Sequence, residues 1–199
     1  MTDRENIPEN LDRDELSFDT PQQAFYIISI RKFLILYLMT SGLYGVYWFY
    51  KHWKTVKVFN EENIIPVLRG FFAIFFIHAL FSRIDQFLDK QGRRYVWNPM
   101  TIASLFVVLS ISQNLLSRMD FGFSILTVFF ISLWMLLGSG WILIQAQRAA
   151  NRACSDPFGA TNDQLTQANM FWLTIGVLPL LFMLFFVIFP ILFGLPLEQ

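Results

Sequence analysis

The sequence lacks the residues from which many active and metal sites are built. Cys154 is the single cysteine, which excludes an intrachain disulfide and any cysteine-rich metal site. The two histidines, His52 and His78, have no metal-ligand spacing between them. The chain contains no G-x-S-x-G elbow, no glycine-rich phosphate loop with lysine and no H-E-x-x-H pattern. We therefore expect a protein without catalytic activity, bound metal or cofactor.

Charge is also scarce. Charged residues are 15% of the 199 residues, against about 25% in a typical soluble domain, whereas 55% are hydrophobic and 23 are phenylalanine. No block is basic enough to indicate a nucleic-acid partner. The mean hydropathy is +0.46, and 23 phenylalanines are more than one soluble core can easily bury. We therefore expect apolar surface that faces lipid.

The N-terminus differs from the rest of the chain. Residues 1–24 are polar and acidic, and they lack the apolar run and small-residue cleavage site of a signal peptide. They predict a flexible acidic tail. Residues 25–199 predict a single α-helical membrane domain.

The apolar stretches fall into two lengths. Three are long enough to predict spanning helices, at residues 100–117, 121–145 and 169–195. Two are shorter or broken by glycine, at residues 33–50 and 67–81, and these predict re-entrant or interfacial helical elements. The chain is therefore predicted to be an all-α membrane protein with about three spanning helices, and the alternative is five spanning helices.

The distribution of lysine and arginine favours the first arrangement. If the two short stretches enter and return, 14 of the 15 lysines and arginines lie on the N-terminal side of the membrane; if all five stretches span, the split is 10 to 5. Positive charge concentrates on the cytoplasmic side. We therefore expect a multi-pass protein with a cytoplasmic N-terminus.

Residues 31–54 carry a distinctive pattern, R-K…G-L-Y-x-x-Y-W-F-Y-x-x-W-K. This pattern resembles the hallmark of an uncharacterised family of bacterial membrane proteins, a domain of unknown function. Two further pieces are similar to that family, Pro66-Val67-Leu68-Arg69 and Gln147-x-x-x-Asn151. The resemblance implies a bacterial inner-membrane protein with no established activity.

Aromatic and cationic side chains at the membrane boundary are candidates for binding a lipid headgroup or a partner protein. They are Tyr44, Tyr47, Trp48, Tyr50, Trp53, Lys54, Arg69, Arg148 and Arg152. Arg148 and Arg152 share one helical face with Gln145, and together with Arg69 they could bind an anionic headgroup or an acidic partner segment. An ordinary aromatic belt and a solvated helix exit are the simpler interpretations.

A second group of polar side chains lies inside apolar stretches. It comprises His78, Ser110, Gln113 and Asn114. Such residues line polar cavities or bond neighbouring helices together. No aspartate or glutamate lies inside an apolar stretch with His78, so a proton relay has no evident partner.

The sequence favours a non-catalytic accessory, scaffold or binding protein of the membrane. Its expected partners are membrane lipids, with another membrane protein or a second copy as further possibilities. The alternative is a small transporter or channel-like protein that uses a polar site at a broken helix. A lipid-modifying enzyme ranks last because no nucleophile–base pair is visible.

Overall fold

The computed structural model describes residues 23–119 and 122–193, and every regular element in them is helical. Residues 1–22 of the acidic tail predicted for residues 1–24 lie outside the described residues. The helices are α1 (Ile30–Met39), α2 (Tyr44–Phe59), α3 (Pro66–Phe71), α4 (Ala73–Lys90), α5 (Pro99–Leu116), α6 (Ile125–Ala153) and α7 (Gln167–Phe193), with a 3₁₀ turn at Ala160–Asn162. The predicted all-α fold is confirmed.

The first short apolar stretch forms a helical hairpin rather than one helix. Residue 42 has a φ of +89°, a left-handed conformation that favours the glycine found there. The Thr40 hydroxyl accepts a hydrogen bond of 2.9 Å from the Tyr44 N–H, which pairs one of the free donors at the start of α2. The chain therefore reverses direction between Met39 and Tyr44.

The second short stretch also forms two helices, with unequal lengths. Pro66 begins α3, as expected for a proline at the first helical position. The chain bends at Phe72, and α4 then runs without a break to Lys90. The apolar element was predicted to end at residue 81, but the helix continues to Lys90 because one buried face runs along α4 from Ile77 to Leu88.

Two helices are long and apolar enough to cross a membrane, Pro99–Leu116 and Leu126–Ala153. The second of these continues to Ala153, beyond residue 145 where the predicted spanning segment ends. Helix α7 has 27 residues, and its role as a third spanning helix stays a prediction. At the start of α7, the side chains of Thr166 and Asn169 accept hydrogen bonds from each other's backbone N–H groups.

The buried core surrounds the C-terminal half of α6. Its centre is a run of small and aliphatic side chains on α6: Ile142, Leu143, Ala146, Ala149, Ala150 and Ala153. Small side chains let neighbouring helices approach closely. Helices α1, α2 and α4 pack here and bury their own aromatic and aliphatic side chains.

The turns of the α1–α2 and α3–α4 hairpins lie at about the same level of α6. A Cβ placed on Gly42, at the tip of the α1–α2 hairpin, would lie 3.1 Å from Leu136 Cδ1. Helix α4 runs antiparallel to α5, since His78 bonds Ser104 and Ser82 bonds Met100. That register sets the start of α4 opposite Leu109, whose Cδ1 would lie 3.4 Å from a Cβ on Gly138.

The molecule therefore has two regions. The base contains helices α1 to α4, residues 99–109 of α5, residues 136–153 of α6, the start of α7 and the loops around them. The arm contains the parts of the long helices beyond the hairpin tips, at residues 110–116, 125–135 and 177–193. No described side chain of the arm is buried.

Candidate functional site

The predicted aromatic collar is mostly a packing core. Tyr44, Trp48 and Trp53 are fully buried. These three rings lie on the face of α2 that packs against neighbouring helices, so they present no surface to lipid headgroups. Tyr47 and Tyr50 are partly exposed and Lys54 is exposed. Only these three of the block present surface at the boundary.

A buried polar clamp lies beneath the aromatic core, with Gln147 at its centre. Gln147 Nε2 donates to the Tyr26 carbonyl (3.0 Å) and to Asn151 Oδ1 (2.7 Å). Gln147 Oε1 accepts from Trp48 Nε1 and lies 3.2 Å from His52 Nε2. Since an amide oxygen only accepts, the proton of His52 resides on Nε2. Buried polar groups are costly without partners, so this clamp fixes α2 against α6.

The clamp continues to the extended segment before α1. Asn151 Nδ2 donates to the Ile28 carbonyl (2.9 Å) and its Oδ1 accepts from the Ile28 N–H (3.4 Å). Asn162 Nδ2 donates to the Ile27 carbonyl (2.7 Å), and Lys32 Nζ donates to Asn162 Oδ1 (2.6 Å). The Gln147-x-x-x-Asn151 pair thus hydrogen-bonds the backbone of Tyr26 and Ile28.

His52 lies in the base with no exposed surface. Burial lowers the pKa of His52 to about 3, and the hydrogen bond to Gln147 opposes the shift only in part. The imidazole is therefore neutral at physiological pH. Its Nδ1 has no hydrogen-bond partner among the residues that the structure describes. In residues 23–119 and 122–193, no group of three or more His, Cys, Asp or Glu side chains could hold a metal ion.

Arg69 does not join the other predicted arginines. Its guanidinium lies over the ring of Trp53 at 4.3 Å and over that of Phe76 at 5.1 Å. Arg83 approaches Trp53 from 5.6 Å and forms an ion pair with Glu62. These cation–π contacts fasten α3 and α4 to α2.

The remaining arginines line an open groove. Arg148 and Arg152 meet Arg31, from the start of α1, and Tyr95, from the α4–α5 loop, around a space of about 570 Å³. The rest of the wall is formed by Ser29, Ile30, Pro157, Phe158, Ala160 and Asp163. We call this the arginine groove. Sequence reasoning found Arg148 and Arg152 but missed Arg31 and Tyr95, although Arg31 begins the distinctive pattern of residues 31–54.

A second groove, of about 610 Å³, lies between the ends of α2 and α4. It holds both partners of the Arg83–Glu62 ion pair, together with Lys90. Part of its positive charge is therefore already neutralised. Among the described residues, neither Arg31, Arg148 nor Arg152 has an ion-pair partner. The two grooves are similar in size and differ in free charge.

The predicted intramembrane polar residues do not form one site. His78 Nε2 lies 3.1 Å from Ser104 Oγ. Ser110, Gln113 and Asn114 lie 6 to 10 residues further along α5, or about 9–15 Å at the helical rise. Gln113 and Asn114 are exposed. The structure brings no polar site together around His78.

No protein-family model, curated protein or solved structure matches this chain. The resemblance of residues 31–54 to a bacterial membrane family therefore stays a prediction.

Proposed function

We propose that this protein is a non-catalytic accessory or scaffold protein of the bacterial inner membrane, and that it binds membrane lipid or another membrane protein at its base. The observation that carries the proposal is the division between a packed base and an arm in which no described side chain is buried. In the arm, Trp134 is 76% exposed and Phe182 is 66% exposed. Surface this apolar needs a lipid or protein cover.

The level of the hairpin tips supports the proposed topology. Leu136 lies 17 residues before the end of α6, about 25 Å at the helical rise, and α6 as a whole is about 43 Å long. Both hairpins start and finish in the base and turn near this level. They are the re-entrant elements of our proposal, and α5, α6 and α7 are the spanning helices.

The described charges agree with one orientation. Arg118, beyond the end of α5, is the single described lysine or arginine at the far end of the arm, and the others belong to the base. Because positive charge concentrates on the cytoplasmic side, this distribution supports our proposal that the base faces the cytoplasm. The proposal of a cytoplasmic N-terminus rests on that rule and on residue 23, the first described residue, which lies in the base.

Native mass spectrometry of the protein in a mild detergent tests the binding role. We expect retained phospholipid, or a partner subunit, at fixed stoichiometry. Membrane proteins associate through close packing and hydrogen bonds. The grooves of the base offer apolar side chains for packing and polar side chains for hydrogen bonds. A homogeneous monomer free of lipid, from the gentlest extraction that keeps the fold, would contradict the proposal.

A further inference from the structure

We propose that the arginine groove binds the phosphate of an anionic phospholipid, whose acyl chains lie along the exposed face of α6. This inference rests on the proposed membrane function and names the lipid class and the place of binding.

The charge of the groove is available to a ligand. Arg31, Arg148 and Arg152 are all exposed. Arg148 Nη1 donates only to the neutral amide of Gln145, at 3.3 Å. Asp163 is the one acid in the lining, and it already accepts a hydrogen bond from Ser29 Oγ. Guanidinium groups pair with phosphate oxygens through two parallel hydrogen bonds, so the groove suits a phosphate better than a simple cation or a neutral group.

The face of α6 above the groove is apolar and open. Trp134, Trp141 and Arg148 are spaced at seven residues, so their side chains project from nearly the same side of the helix. Trp141 is 52% exposed and lies about 10 Å from the level of Arg148, and Trp134 lies about 21 Å from it. A phospholipid has this layout, with its charge at one end and its chains extending into the apolar layer.

The groove itself has an apolar wall. Ile30, Pro157 and Phe158 line it beside the arginines, and Phe158 is 82% exposed. A free phosphate ion would leave this wall in water, whereas the glycerol and upper chains of a lipid would cover it. A zwitterionic headgroup brings its own cation to a groove that has three, so an anionic lipid is favoured.

Lipid titration of the delipidated full-length protein tests the inference. Binding to the protein in nonionic detergent would be followed by native mass spectrometry with phosphatidylglycerol, phosphatidylcholine and glycerol phosphate as three separate probes. We expect phosphatidylglycerol to bind at least tenfold more tightly than either other probe. Equal binding of the two lipids, or binding of glycerol phosphate as tight as phosphatidylglycerol, would overturn it.

Paired charge variants locate the site. Arg148→Gln with Arg152→Gln should weaken phosphatidylglycerol binding at least tenfold. The matched control, Lys57→Gln with Lys90→Gln, removes the same charge from elsewhere in the base and should change phosphatidylglycerol binding less than twofold. If the double glutamine variant has a lower unfolding temperature than the parent protein, the double variant Arg148→Lys with Arg152→Lys is used instead. Lysine keeps the charge but lacks the bidentate guanidinium, so we expect phosphatidylglycerol to bind three- to tenfold more weakly.

Equal affinities in the arginine and control variants would overturn the inference. Retained lipid without selectivity for anionic headgroups would also overturn the inference and leave the proposed function standing. A protein that retains neither lipid nor partner after gentle extraction would contradict the proposed function itself.

Discussion

The base and the arm use the same kinds of side chain in opposite ways. Trp48 and Trp53 in the base have no exposed surface, whereas Trp134 in the arm is largely exposed. The base also contains buried polar groups that pair across elements: Gln147 with Trp48, and Asn151 with the Ile28 backbone. Among the described residues of the arm, no side-chain hydrogen bond joins one helix to another. Side-chain type therefore does not distinguish core from lipid-facing surface; the presence of a polar clamp does.

Removing one tryptophan from each region should give the largest contrast. Trp48→Ala deletes a fully buried ring and leaves Gln147 Oε1 with one partner fewer, so we expect a loss of about 3–5 kcal/mol in the free energy of unfolding. Trp134→Ala should cost about 0.5 kcal/mol or less. Reversible unfolding in mixed detergent micelles measures both. Equal losses would remove the distinction between base and arm.

A glycine pair tests how tightly the loop after α6 closes on the base. Gly159 has a φ of +67°, and a Cβ there would lie 2.4 Å from the Ile28 carbonyl carbon. Gly92 has a φ of +64° with nothing within 4 Å of its Cβ. Gly159→Ala should therefore cost about 3 kcal/mol, from backbone strain and overlap together, and Gly92→Ala about 1 kcal/mol, from strain alone.

The outcome that would contradict this reading of the loop is an equal loss in the two glycine variants. It would mean that the loop does not press on residues 28 and 29, and that the clamp alone holds the extended segment. Thermal unfolding of the two purified variants side by side is sufficient to distinguish these results.

The buried polar clamp should contribute more to the free energy of unfolding than the more exposed polar side chains of α6. Asn151→Leu removes both partners of the Ile28 backbone from a fully buried site, so we expect a loss of about 2–3 kcal/mol in the free energy of unfolding. Gln145→Leu, on the partly exposed face of the same helix, should stay within about 0.5 kcal/mol. Hydrogen exchange at residues 27–29 should rise only in the first variant. Unchanged protection there would contradict the assignment.

The base should also give the stability of the protein a pH dependence, through His52. His52 has a pKa of about 3 in the folded protein and about 6.5 when unfolded. Below pH 6.5 the unfolded chain binds a proton that the folded chain does not, so stability falls as pH drops from about 6.5 towards 3. The slope approaches about 1.4 kcal/mol per pH unit. His52→Gln should flatten this part of the profile; an unchanged slope would place the cause elsewhere.

Much of the fold follows from the sequence because local signals are strong. Gly42 marks the turn of the first hairpin, Pro66 the start of α3, and the polar residues after Ile144 the exit of α6. The burial of Trp48 could not be predicted, since an apolar helix face reads the same whether lipid or protein covers it. Arg31 joins Arg148 across 117 residues of sequence, and no local pattern predicts a contact at that distance.

The central claim is that both short hairpins turn inside the membrane and return to the side of the base. Cysteine labelling in spheroplasts tests it most directly, with Cys154→Ala as background and single cysteines at Asn60, Lys90 and Arg118. We predict that an impermeant maleimide reaches the cysteine at 118 in intact spheroplasts and those at 60 and 90 only after permeabilisation. Labelling of 60 and 90 from opposite sides would contradict the account and favour five spanning helices.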